Sequence, residues 1–176
     1  MSAHAAPSTS SRASAVSAVP AGERSLAYAL RAPASAQGGA FHLSPLERAE
    51  LVKRGLPART VQEMSAAMGL PREQLMRVTG LARSTMERKI AARSRLSEGE
   101  SEKLVGLSRL IGQVDAMVRE GGDAPADFDA ARWFAAWMAE PVAALGGLCP
   151  QALLDTADGR EALATLLLQI KSGVYA

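Results

Sequence analysis

The chain has one cysteine, Cys149, and two histidines, His4 and His42. A single cysteine excludes an internal disulfide, and no Cys/His cluster has the spacing of metal ligands. There is no phosphate loop, no nucleophile–base pair and no histidine beyond residue 42, which argues against an enzyme and against a bound metal or cofactor. Aromatic residues make up only 4% of the 176 positions, and alternating β-branched runs are missing, so nothing signals a strand. No apolar run reaches the ~18 residues of a membrane span. These absences fit a reducing, cytoplasmic setting with no membrane contact.

What is present is Ala- and Leu-rich, with 48% hydrophobic residues. Those two residue types are the strongest helix formers, so an all-α fold is expected, in one ordinary domain or two small ones. Residues 1–40 are rich in Ala, Ser, Pro and Gly and are expected to form a flexible tail, with "RSLAYALR" as a short helical turn at most. The acid-poor first 22 residues share that composition with organellar transit peptides, but a plain tail is the simpler reading. Helix punctuation becomes regular from Ser44-Pro45, an N-cap followed by a first-turn proline, and "LERAELVKRG" ends on a glycine stop. "PARTVQEMSAAMG" sets Val61, Met64 and Met68 on one face. "PREQLMRVTG" and "ARSTMERKIAAR" follow in close succession. The next helix opens on a Ser97/Glu100 capping box and carries Leu104, Leu107, Ile111, Val114 and Val118 along one face. "DFDAARWFAAWMAE", a short "PQALLDT" and "DGREALATLLLQIKSG" complete the helices, the last with Ala162, Leu163, Leu166, Leu167 and Ile170 as its apolar side.

Charge is unevenly divided. Residues 71–95 hold seven Lys/Arg against two Glu, a net +5, whereas residues 96–176 hold six against twelve acids, a net −6. This asymmetry suggests two tasks, one of them facing an anionic polymer. The basic stretch contains two short helices joined through Gly80, which is the outline of a helix-turn-helix. Leu75, Val78, Leu81, Met86 and Ile90 would form its internal seam. Arg83, Ser84 and Thr85 on the first turn of the second helix suit phosphates and base edges, with Arg88 and Lys89 one turn later. Arg72, Arg77, Arg93 and Arg95 extend the positive field. Met76 stands where such motifs usually place a small residue, so either the crossing is wide or the register is shifted by one. The alternative is a bundle whose charges are merely solvated. A homodimer reading paired half-sites is expected, with the helix at 97–118 as the candidate seam unless it belongs to a single core.

The final third carries "EPVAALGGLCPQALLDTADGREALATLLLQIKSGVYA". Its "ALGG" followed by Pro150, then "LLDT", a Gly-containing turn, an apolar helix and a final "GVYA", resembles the Xre/MbcA/ParS-type antitoxins of RES–Xre toxin–antitoxin systems. The segment "LPREQLMRVTGLARSTMERKI…RLSEGESEKLVGLSRL" resembles their Xre-like helix-turn-helix half. The likeness spans about residues 45–176.

The resemblance implies an Xre-like helix-turn-helix and dimerisation domain over 41–120, after a tail at 1–40, and a small helical toxin-binding domain over 121–176. It implies a type II antitoxin that silences a cognate RES-domain toxin, an NAD-degrading or ADP-ribosylating protein, and represses its own operon through operator DNA. It also implies that the C-terminal tail enters the toxin's active site. Gly173 would free Val174, Tyr175 and Ala176 to leave the helix, offering a carboxylate to a cation and a ring to an apolar wall. Lys171 would face an acidic group of the toxin. Trp133 and Trp137 lie four apart, usually a sign of core, yet such a helix can leave one tryptophan, Trp137, for the partner. Cys149, without a basic neighbour, reads as structural. The competing reading is a stand-alone repressor whose C-terminal half only dimerises; the apolar "GVYA" end argues against it.

Overall fold

A computed structural model describes residues 39–122, 125 and 127–172. The expected turn in "RSLAYALR" and the segment 173–176 lie outside the described residues. Seven α-helices occur among them: α1 (Pro45–Arg54), α2 (Thr60–Met68), α3 (Arg72–Val78), α4 (Arg83–Ala91), α5 (Glu98–Glu120), α6 (Ala130–Trp137) and α7 (Ala157–Lys171). Short 3-10 turns lie at Gly39–Phe41, Ala143–Leu145 and Pro150–Leu153. The all-α expectation holds.

Local chemistry sets most of the boundaries. Ser44 and Ser97 each head a complete capping box, with Glu47 and Glu100 returning the bond to the cap amide. Thr156 caps α7 and Asp129 caps α6 by accepting backbone N–H groups. Gly69 ends α2 in the left-handed conformation. Gly55 (φ +75°) lies so near the Leu96 carbonyl that a Cβ would stand 2.5 Å from its oxygen. There the loop after α1 meets the loop after α4: Leu96 N donates to Leu56 O at 2.8 Å and Ala58 N to Ser94 O at 3.0 Å.

The 23-residue α5 is the spine. It is covered by the Gly39–Phe41 turn, α1, α6 and α7, while α2 packs on α3 and α6. Leu104, Leu107, Leu110 and Val114 are buried, as are Leu51, Met64, Leu75, Met76, Met86, Phe134, Met138, Leu154, Leu163 and Leu167. All belong to one continuous cluster. Each fully buried Leu, Met or Phe contributes about 2 kcal/mol of transfer free energy, and α5 supplies Leu104, Leu107 and Leu110. Its own chain covers much of α5, which makes it a helix of the single core.

The apolar side of α7 differs from the sequence expectation. Leu163, Leu166 and Leu167 are buried together with Ala164, but Ala162 faces out and Ile170 is 41% exposed. The residues that α7 turns toward α5 centre on Leu163 and Leu167, which puts Ala162 and Ile170 at the margin of the seam. Polar ties fix this docking. The buried Arg160 guanidinium contacts both oxygens of Glu102 (2.5 and 2.6 Å) and donates to Leu154 O at 2.8 Å. Gln113 donates to Ala164 O at 2.8 Å.

Candidate functional site

The basic helices form the predicted helix–turn–helix. Thr79, fully buried, donates its hydroxyl to Leu75 O at 2.7 Å and closes α3. Gly80 takes φ +63°, and Leu81 N reaches back to Met76 O at 2.8 Å, so the chain reverses within a few residues. Leu75, Val78, Leu81 and Met86 are buried, and Ile90 is partly buried against them, as the seam required. Met76 is buried too. It lines an open groove with Pro71, Glu73, Gln74, Arg77, Leu81 and Arg83, so space remains between α3 and the head of α4.

At the N-terminus of α4, Ala82 offers no side-chain cap, and the first-turn amides receive no side-chain oxygen. Such an end favours an anion from outside. Arg83, Ser84 and Arg88 are exposed and Thr85 is half-buried. Arg72 and Arg77 are exposed on α3. Arg93, also exposed, follows α4 with φ +50°, a left-handed conformation unusual for a side-chain-bearing residue, and it borders a second groove with Pro57, Arg59, Gln62 and Ile90. Arg95 donates to Gly55 O at 2.6 Å. Lys89 is placed otherwise than expected: it is half-buried and ion-paired with Glu100, the capping carboxylate of α5. Arg72, Arg77, Arg83, Ser84, Arg88 and Arg93 are thus exposed on or just after α3 and α4, whereas Lys89 ties α4 to α5.

The acids among these helices are informative. Arg83 Nε lies 2.8 Å from Glu87 Oε1, and its Nη2 lies 3.5 Å from Glu73 Oε1. The Glu87 hydrogen bond, then the charges of Glu87 and Glu73, hold the Arg83 guanidinium above even its usual range. At Glu100, burial pushes the carboxyl upward, but the donors from Lys89 and Ser97 outweigh it and the net displacement is downward.

The second candidate surface lies beyond α5. On α6, Phe134 is fully buried while Trp133 is 40% exposed. Trp133 stacks on Trp137, with ring centroids 6.0 Å apart and planes within 11°. Trp137 is only partly exposed and packs against the core. The accessible tryptophan is thus Trp133, with Trp137 as its support, because the helical phase that buries Phe134 and Met138 turns Trp133 outward. After α6 the chain turns at Gly146 and Gly147, both left-handed, and lifts Leu148 to 56% exposure. Leu168 of α7 is 57% exposed. Lys171, expected to meet a partner's acid, is ion-paired with Glu120 at the end of α5. Gly173, Val174, Tyr175 and Ala176 lie outside the described residues. Cys149 is half-buried.

Three contacts escaped the sequence reading. Arg160–Glu102 spans 58 positions, and Gly106 makes room for it: a Cβ there would sit 2.5 Å from Arg160 Nε. Lys103 donates to Gly80 O at 2.7 Å, fastening the helix-turn-helix corner to the spine. The acidic neighbours of Arg83 were readable as an i,i+4 spacing for Glu87 but not for Glu73. Among the described residues no group of three or more metal-ligating side chains gathers, and no helix is long and apolar enough to cross a membrane.

Comparison with known proteins adds two family matches. Residues 47–109 match the antitoxin Xre-like helix-turn-helix domain, and residues 121–173 match the antitoxin Xre/MbcA/ParS C-terminal toxin-binding domain. The chain is similar to the "Prs ADP-ribosylating antitoxin" of Sphingobium sp. (strain YBL2), 34% identical over 144 residues that cover 82% of this chain and 90% of that protein. It is also similar to the "Antitoxin Xre" of Yersinia enterocolitica serotype O:8 / biotype 1B (strain NCTC 13174 / 8081), 25% identical over 125 residues, 70% of this chain and 78% of that one.

Proposed function

This chain belongs to the Xre antitoxin family, a non-enzymatic one, and from that premise we propose that it neutralises a RES-domain toxin that consumes NAD, by degrading it or by transferring ADP-ribose to a protein. The observation that carries the reading is the toxin-binding domain match over residues 121–173. The relative named as an ADP-ribosylating antitoxin supports the class of toxin. Residues 121–176 would hold the toxin, with Trp133 over Trp137, Leu148 and Leu168 as apolar contacts. Gly173, Val174, Tyr175 and Ala176 would enter the toxin's NAD site, where Tyr175 suits an apolar wall built for a nucleobase or nicotinamide. Lys171 stays with Glu120 in this account.

Residues 41–120 would bind operator DNA through α3 and α4, and so repress the chain's own operon in the cytoplasm. The uncapped N-terminus of α4 and the exposed Arg72, Arg77, Arg83, Arg88 and Arg93 support this, since phosphates seek both. Two copies would read paired half-sites.

The test is NAD consumption by the product of the gene beside this one, measured alone and with an equimolar amount of the full chain. Consumption should fall to background in the mixture. Unchanged consumption, with the two proteins shown to be folded, would overturn the proposal.

A further inference from the structure

The solvent face of α4 is not uniformly basic. Its exposed residues include Arg83, Ser84, Glu87 and Arg88. Two carboxylates surround the leading arginine, Glu87 from the next turn at 2.8 Å and Glu73 from α3 at 3.5 Å. A face meant only to grip phosphates gains nothing from this, because each carboxylate repels the nucleic-acid backbone and cancels part of the arginine's field. Stability does not account for it either, since all three side chains are about half exposed or more and such surface pairs contribute little.

In a major groove a carboxylate has one well-matched partner. Cytosine presents only its N4 amino group there, a donor, whereas guanine presents acceptors, thymine an acceptor and a methyl, and adenine a donor flanked by an acceptor. Arginine complements guanine O6 and N7. Residues 83 and 87 are one turn apart on one helix face, so they can reach the same or neighbouring base pairs.

We propose that Glu87 is a base-reading residue that selects cytosine in the operator, beside a guanine read by Arg83. The inference rests on the reading of α3 and α4 as the DNA-binding element. On binding, the Arg83–Glu87 bond is exchanged for bonds to the two bases. Against any other base, Glu87 meets an acceptor or an imperfect donor and the arginine's partner is left unpaired, so the wrong site is penalised. The electrostatic cost of two acids near the groove is thereby turned into discrimination.

The full-length protein would first be used to select binding sites from a pool of randomised duplexes. Wild type, Glu87→Gln, Glu87→Ala and the double variant Arg83→Ala/Arg88→Ala would then be titrated against duplexes carrying each base pair at each selected position. The wild type should require cytosine at one position. Glu87→Gln should move that preference toward adenine by roughly ten-fold and leave the other positions alone, and Glu87→Ala should tolerate all four bases there. Variants that bind every duplex more tightly by one common factor, with preferences intact, would overturn the proposal and reduce Glu87 to a tuner of charge. A wild type without sequence preference, or a double variant that binds as well as wild type, would instead remove the DNA-binding reading and the proposal with it.

Discussion

Close approach constrains some individual positions in this chain and leaves others free. Gly159, in the first turn of α7, has no room for a side chain: a Cβ would collide with the Leu153 carbonyl oxygen and stand 2.7 Å from Thr156 Oγ1. Gly99, in the first turn of α5, would meet nothing within 4 Å. The two glycines should therefore respond oppositely to alanine. Gly159→Ala is expected to cost about 3 kcal/mol, the upper end of overpacking penalties, because backbone rather than a flexible side chain must yield. Gly99→Ala is expected to be neutral or stabilising by up to about 1 kcal/mol. Urea unfolding monitored by circular dichroism distinguishes them, and equal effects at both positions would contradict the geometry. Glu102→Ala belongs to the same scale. Among the described residues it leaves the buried Arg160 with the Leu154 carbonyl as acceptor, and should cost about 1–2 kcal/mol, less than a fully buried pair because Glu102 itself reaches water.

Among the elements, the junction of α4 and α5 is built to respond to acid. Glu100 caps α5 and holds Lys89, and its carboxyl lies below its ordinary value of 4.5. A depressed folded-state pKa means that its contribution is complete above the unfolded value and is lost as pH falls through the folded one. Stability measured from pH 7 downward should accordingly hold until about pH 4.5 and then decline. Glu100→Gln can still accept from the Ser97 amide but cannot titrate, so part of that decline should vanish, at some cost in stability at neutral pH. An identical acid slope in both proteins would refute the assignment. Such caps were legible in the sequence because they are local: Ser44-Pro45 and Ser97…Glu100 announce their helices within four residues. The roles of Lys89 and Trp133 were not. Lys89 could be assigned to Glu100 only by knowing how the turn at 92–97 brings α4 against the head of α5. Which of two tryptophans faces out depends on the phase that Phe134 and Met138 impose when they enter the core. For the same reason helical spacing alone puts Ala162 and Ile170 on the apolar side of α7, whereas both are exposed.

The molecule as a whole joins two sequence segments of opposite charge through one core. α6 and α7, in the acidic segment, bury Phe134, Leu163 and Leu167 in the same cluster that holds Leu75 and Met86 from the basic one. A fragment of residues 121–176 would expose the α7 face that α5 covers, so it should lack the helical circular-dichroism signal and dispersed amide resonances of a folded protein. A folded fragment would show that the shared core is dispensable. The continuity also means that the helix-turn-helix corner, tied by Lys103 to α5, and α7, tied by Arg160 and Gln113 to the same helix, are held in fixed relation. One continuous core thus carries both the side proposed to face DNA and the side proposed to face the toxin. The proposed division of labour is tested most directly by comparing the full chain with a version ending at Ser172 in the NAD-consumption assay of the cognate toxin, with complex formation followed in parallel. The account predicts that the shortened chain still binds the toxin but no longer suppresses NAD consumption. Undiminished suppression by the shortened chain would contradict it.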